Sequence, residues 1–254
     1  MKPKKCGRKT QAQLNAEWDA LAEQRTHQLS TRSDLSFEHV IAPLAFRLIK
    51  SVDPSYVVDL GAGTGEFTRR LAGRVDVVTA VEPSHRSVVA ARKRCNGLAN
   101  VRVVEQTFEA FSREQGANSV SAVVAVMSLM SVRDLSAVAR AAARVVAPGG
   151  HVVAIITHPY FWPLYWRYAT EPWFDYGRES FIEAPFRISS QTTNVFTTHV
   201  HRPMAQYVNA FGERGFGLEA AEEPMPTEKI AHRFPAPWRF PRFLGLRWRK
   251  VSEE

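Results

Sequence analysis

A doubly wound α/β domain on a mostly parallel sheet is the fold class this sequence predicts, and three observations predict it. Short apolar runs alternate with longer stretches of helical periodicity between residues 56 and 157. The first run, Val57-Val58-Asp59-Leu60, ends in the glycine loop Gly61-Ala62-Gly63-Thr64-Gly65, and the second, Val75 to Val81, is followed by Glu82. The fourth run, Val120 to Val126, is apolar almost throughout, as a strand covered on both faces requires.

Two helices precede the sheet. Leu14, Trp18, Leu21 and Arg25 recur at helical spacing, and Phe37, Val40, Ile41, Leu44 and Leu48 repeat the pattern behind Ser36 as N-cap; Pro43 predicts a later start or a kink. Strand one is Tyr56 to Leu60, and the helix after its glycine loop carries Phe67, Leu71 and Ala72. Ser84 caps a helix with Val88, Val89 and Cys95, and Val101 to Glu105 forms strand three. Asp134 opens an alanine-rich helix, which Pro148-Gly149-Gly150 stops before strand five, His151 to Thr157. Beyond an irregular stretch, Phe196 to His201 alternates as a short strand. A helix over Met204 to Arg214, a strand at Leu218 to Glu222 and an apolar segment, Phe243 to Val251, complete the chain.

Length and charge narrow the function. The 254 residues suit one large domain: residues 1–10 read as a disordered basic arm, residues 11–254 as a single domain, and 11–51 as its N-terminal helices. The net charge of +8 concentrates at the ends, where residues 2–9 and 229–250 hold 12 of the 33 basic residues. The body between them is slightly acidic, which argues against a nucleic-acid cleft. Two cysteines, Cys6 and Cys95, make neither a disulfide framework nor a metal pair, so a reducing cytoplasm is expected, with metal ligation absent. No apolar run reaches the ~18 residues of a membrane span.

Glycine spacing selects the ligand. From Gly61 to Glu82 is about the 20 residues that set a carboxylate against a ribose diol in a strand-helix-strand unit. The dinucleotide fingerprint needs a further glycine where this chain has Glu66, whose carboxylate would oppose a pyrophosphate at that helix N-terminus. These residues resemble the class I S-adenosylmethionine-dependent methyltransferases, and Arg144-Val145-Val146-Ala147-Pro148-Gly149-Gly150 resembles the turn before that family's strand five. The resemblance implies a Rossmann-like sheet of seven strands with the last one antiparallel, and S-adenosylmethionine as cofactor. It places Asp59 at the methionyl ammonium, Gly61, Ala62, Gly63 and Gly65 along the methionine and ribose, and Glu82 and Pro83 at the ribose. Thr107 and Phe108 fall at the adenine, and Met127 follows strand four.

Several reaction classes drop out at Met127-Ser128-Leu129-Met130. The N/D-P-P-Y/F motif for exocyclic amines of bases is missing there, as are clustered carboxylates for magnesium, and neither cysteine is placed as a nucleophile. Residues 158–202 form an aromatic-rich insertion after strand five, with nine of the chain's 27 aromatics between 160 and 176. Tyr160, Phe161, Trp162, Tyr165, Trp166 and Trp173 are the expected wall of a pocket for a small, flat or apolar acceptor, or else a cluster closing the sheet edge. His158, His201 and His199, in that order, are the candidate bases. Two other readings stay open: a nucleic-acid or protein methyltransferase using the basic ends, and a methyltransferase-like protein that binds the cofactor without transferring methyl.

Overall fold

The computed structural model describes residues 2–251, so Met1 and the last three residues of the expected domain lie outside it. The chain opens with β1 (Lys4–Lys5) and α1 (Gln11–Ser30), where Thr10 and Gln13 form a capping box. Residues 2–10 are not a disordered arm. Lys4 and Lys5 pair through their backbone with a strand of the insertion, Lys9 bonds Glu17 and, at 2.7 Å, Glu183, and Lys4 forms an ion pair with Glu183 at 3.7 Å. Ser36 is not the cap of the second helix either. It is already helical, and Asp34 Oδ1 accepts from Phe37 N at 3.0 Å instead. A π-helical turn, Phe37–Ile41, runs without a break into α2 (Ala42–Ile49), so Pro43 lies inside continuous helical backbone, and the wider turn stands just ahead of the residue that lacks an N–H.

The central sheet follows in order: β2 (Val57–Leu60), α3 (Glu66–Leu71), β3 (Val78–Glu82), α4 (His85–Arg94), β4 (Val101–Glu105), α5 (Phe108–Glu114), β5 (Val120–Val126), α6 (Leu135–Val145) and β6 (Val146–Thr157). The insertion supplies α7 (Phe161–Trp166), β7 (Ser180–Arg187) and β8 (Thr192–His201), and the chain ends with α8 (Met204–Gly212), β9 (Phe216–Glu222), α9 (Glu228–Ala231) and β10 (Phe243–Lys250). The seven-stranded sheet runs β4-β3-β2-β5-β6-β10-β9, parallel from β4 to β6, with β10 antiparallel to both its neighbours.

Alternation divides the core between the two faces. Val58, Leu60, Val123 and Ala125 pack under α5, α6 and α8, whereas Val57, Ala122 and Val124 face α2 and α3. Strand order reverses between β2 and β5, so the loops leaving these strands diverge over the carboxyl edge, where open α/β sheets bind ligands. A second sheet, β1-β7-β8, stands above that edge, with α1 lying on β8. Among the described residues no helix is long and apolar enough to cross a membrane.

Candidate active site

Two loops meet at the reversal point. Gly61 has φ 67°, and a Cβ on it would sit 2.5 Å from that of Ser128, so glycine lets the loops after β2 and β5 close on each other. The Ser128 hydroxyl then donates to Leu60 O at 2.7 Å. Gly63, with φ 54°, has nothing within 4 Å of where its Cβ would stand, which leaves a cradle on the cavity wall. Met127 is held at φ 58°, unusual for a side chain of its size and a mark of local strain at the end of β5.

Carboxylates gather around this cradle. Asp59, 1% exposed, accepts from Thr68 Oγ1 at 2.6 Å, and burial pushes its carboxyl up to about 7. Glu82 accepts from Gly63 N and Ser84 N, both at 2.8 Å, yet burial lifts it to about 7 as well. Burial would also raise Glu66, but Arg69 and Arg70 at 2.9 and 2.7 Å hold it below the ordinary range. All the residues expected at the cofactor line one cavity except Gly65, which packs α3 against Ala91 of α4.

That cavity, of about 260 Å³, continues to the insertion. Trp162, Tyr165 and Trp166 line it, as expected; Tyr160, Phe161 and Trp173 do not. Tyr160 is 59% exposed, Phe161 stacks on Phe240 with centroids 5.3 Å apart, and Trp173 stacks on Tyr168 at 5.7 Å. Helical geometry explains the split, because positions 162, 165 and 166 of α7 fall on one face.

The histidines also divide. His158 lies outside the cavity lining, and both its nitrogens are occupied: Nδ1 accepts from Tyr160 N and Phe161 N at 3.2 Å, and Nε2 donates to Glu223 at 2.7 Å. It caps α7 and is not placed as a base. His201 is buried with Nε2 donating to Tyr176 O at 3.1 Å, and it too is off the cavity. His199, the last of the three candidates, is the one that lines it; its Nδ1 lies 3.5 Å from the Thr157 hydroxyl, and burial pushes its pKa down to about 3.

Known proteins fit this geometry. Residues 57–150 match a family model described as a methyltransferase domain. Demethylmenaquinone methyltransferases of two Tropheryma whipplei strains are each 34% identical over 120 residues, which is 44% of this chain and 48% of theirs. An S-adenosylmethionine dependent methyltransferase of Mesorhizobium loti superposes with TM-score 0.62 at 20% identity, over 82% of this chain and 96% of that one. The 1,6-didemethyltoxoflavin-N1-methyltransferase of Burkholderia thailandensis superposes with TM-score 0.61 at 14% identity, over 98% and 94%. Residues 57–150 carry a methyltransferase domain, and the chain has the fold of S-adenosylmethionine-dependent methyltransferases. It spans about half the length of the curated relatives it matches.

For a methyltransferase domain, the residues that sequence reasoning missed are those brought in from elsewhere in the chain. Asn15, Trp18 and Ala22 of α1 roof the cavity, Trp18 standing edge-on to Phe186 of β7 with centroids 5.9 Å apart. Arg187 and Arg242 line its far end. The helical spacing had put Trp18 on an apolar stripe; nothing in one sequence says that the stripe covers a ligand rather than core.

The two raised carboxyls of this cavity set a pH dependence. Each binds its proton more tightly in the folded protein, so its contribution to stability is full below the ordinary carboxylate range and is lost as pH rises to about 7. A cationic sulfonium or ammonium ligand favours the ionised forms. S-adenosylmethionine affinity is therefore expected to rise between about pH 5.5 and 8 while the free protein loses stability. Melting curves with and without the cofactor check both signs, and affinity that falls with pH would contradict the assignment.

Proposed function

We propose that this chain transfers the methyl group of S-adenosylmethionine to a small, flat or apolar acceptor, without a metal ion. The observation that carries the proposal is a single cavity that joins the glycine loop to the Trp162, Tyr165 and Trp166 wall. When bound, the cofactor supplies an electrophilic methyl on a sulfonium sulfur. The chain's part is to bind both molecules, hold them in line and keep water out. Glu82 accepts from the ribose hydroxyls, Asp59 faces the methionyl ammonium, and the Gly61 to Gly63 backbone lies along the ligand. Thr107 and Phe108 border the adenine. His199, kept neutral by its burial, orients the acceptor by a hydrogen bond rather than storing a proton.

Two observations support a small acceptor. The Burkholderia structure holds 1,6-didemethyltoxoflavin with S-adenosylhomocysteine, and the Tropheryma relatives are demethylmenaquinone methyltransferases; neither description involves a macromolecule. Basic residues at the ends are turned onto the chain's own acids, Lys4 and Lys9 onto Glu183, and Arg247 and Arg249 onto Glu219.

Calorimetric titration with S-adenosylmethionine and NADH, followed by a screen of aromatic acceptors for S-adenosylhomocysteine formation, tests the proposal. Saturable binding of the sulfonium alone and turnover of at least one acceptor are expected. A parent protein that does not bind the sulfonium would overturn it.

A further inference from the structure

The far end of the cavity carries charge that the chain does not neutralise. Arg242 is buried, 8% exposed, and among the described residues no carboxylate or carbonyl accepts from its guanidinium. It is sandwiched between rings, 3.9 Å from the Tyr165 centroid and 4.2 Å from that of Trp238. Arg187 lies over the other neighbours, 5.1 Å from the Tyr165 ring and 5.3 Å from that of Trp166, and its nearest acceptor is Tyr165 O at 3.5 Å. Two guanidiniums therefore contact one tyrosine ring, and both border the same two hollows.

Their surroundings are rich in donors. Tyr165, Trp166, Arg187 and Arg242 line both the inner cavity and an adjoining outer hollow of about 620 Å³. That hollow is bordered also by Lys2, which pairs with Glu171 at 3.5 Å, and by Arg167 and Arg239; among the described residues no carboxylate lines it. The buried indole N–H groups of Trp162, Trp166 and Trp238 have no acceptor among the described residues. The carboxylates of the cavity stand at its other end, around Asp59 and Glu82, or in the Arg25–Asp34 pair at 2.8 Å.

A buried guanidinium pays a desolvation penalty that ring faces offset only in part. Burial draws the Arg242 pKa down, and Arg187 beside it acts in the same direction. An oxyanion with two or more oxygens would satisfy both forks, since planar guanidinium presents paired donors matched to carboxylate and phosphate oxygens. We propose that the acceptor carries an oxyanion, a carboxylate or a phosphate, which Arg242 and Arg187 hold where the inner cavity meets the outer hollow, so that the acceptor's reactive end points inward past the Trp162 and Trp166 wall. The basic hollow outside draws such a molecule in. This rests on the methyltransferase reading for the identity of the site, but the oxyanion subsite can be tested apart from turnover.

The probes are benzoate, phenyl phosphate and the neutral benzamide, each titrated calorimetrically into the full chain saturated with S-adenosylhomocysteine. Saturable binding of an anion at least tenfold tighter than benzamide is expected, and the preferred anion separates a carboxylate from a phosphate acceptor. Arg242→Gln should weaken that binding at least tenfold, Arg242→Lys should restore part of it, and Arg187→Gln should act in the same direction as Arg242→Gln. S-adenosylmethionine affinity, unchanged in a variant, shows that it is folded. Equal binding of benzoate, phenyl phosphate and benzamide, no saturable anion binding by the parent, or anion affinity unchanged in both glutamine variants would overturn the subsite. If the parent binds S-adenosylmethionine in those cases, the methyltransferase reading stands without it.

Discussion

Replacing Glu82 by alanine is expected to weaken S-adenosylmethionine binding by about 1 to 3 kcal/mol, roughly five- to 150-fold, the range for hydrogen bonds to a charged partner. Two hydroxyl donors of a ribose would share a carboxylate that is 7% exposed and already oriented by Gly63 N and Ser84 N. Such a group needs no rearrangement to accept them, which is why the loss should exceed that of a surface hydrogen bond. The free protein should behave in the opposite way. Burial has raised this carboxyl to about 7, so its ionised form opposes folding at pH 8, and Glu82→Gln should leave the unliganded protein at least as stable as the parent. Calorimetry for affinity and thermal melting for stability separate the two effects. Unchanged affinity in both variants removes Glu82 from the cofactor site; a large loss of stability without cofactor would instead make it a loop anchor.

The glycine-loop end of the cavity was legible because its signals are local. A glycine at a backbone contact, a strand ending in a carboxylate and the interval between them all follow from covalent neighbours, and Gly61, Gly63 and Glu82 stand where that spacing puts them. The acceptor end depends on packing between distant segments. His158 follows β6 directly, which placed it on the right edge of the sheet, but α7 begins three residues later and draws the imidazole onto its own N–H groups. Reading residues 161–166 as a helix would have separated Trp162, Tyr165 and Trp166 from Phe161 by their spacing alone. Arg242 could not be found that way. It lies in a basic run in which Arg247 and Arg249 form ion pairs with Glu219, and only the fold shows which guanidinium of the run is buried between rings without an acid.

Arg202 explains how the insertion is held in place, and its replacement by methionine is expected to destabilise the protein by about 3 kcal/mol, near the lower limit for breaking a buried ion pair. The side chain is fully buried. Its Nε donates to Glu179 at 2.7 Å, Nη1 to Leu129 O at 3.1 Å, and Nη2 to Val132 O at 2.8 Å and Arg133 O at 3.2 Å. Leu129 to Arg133 follow β5 and bring Met130, Ser131 and Val132 to the cavity, so one guanidinium ties the cofactor-side loop to the end of β8. Methionine fills much of the volume but leaves three carbonyls and Glu179 without their donor. Glu179 keeps 28% of its side chain exposed, and water can take up part of the loss, which is why the lower limit applies. Arg202→Lys keeps the charge but cannot reach four acceptors from one ammonium, so it should recover less than half of the stability. Urea unfolding measures both variants. A loss under about 1 kcal/mol in Arg202→Met would mean that the β7 and β8 sheet holds its position without this clamp, and the cavity wall would then be set by the aromatic cluster and by Glu17, which fixes Thr198 of β8 to α1 through bonds of 2.6 and 2.9 Å.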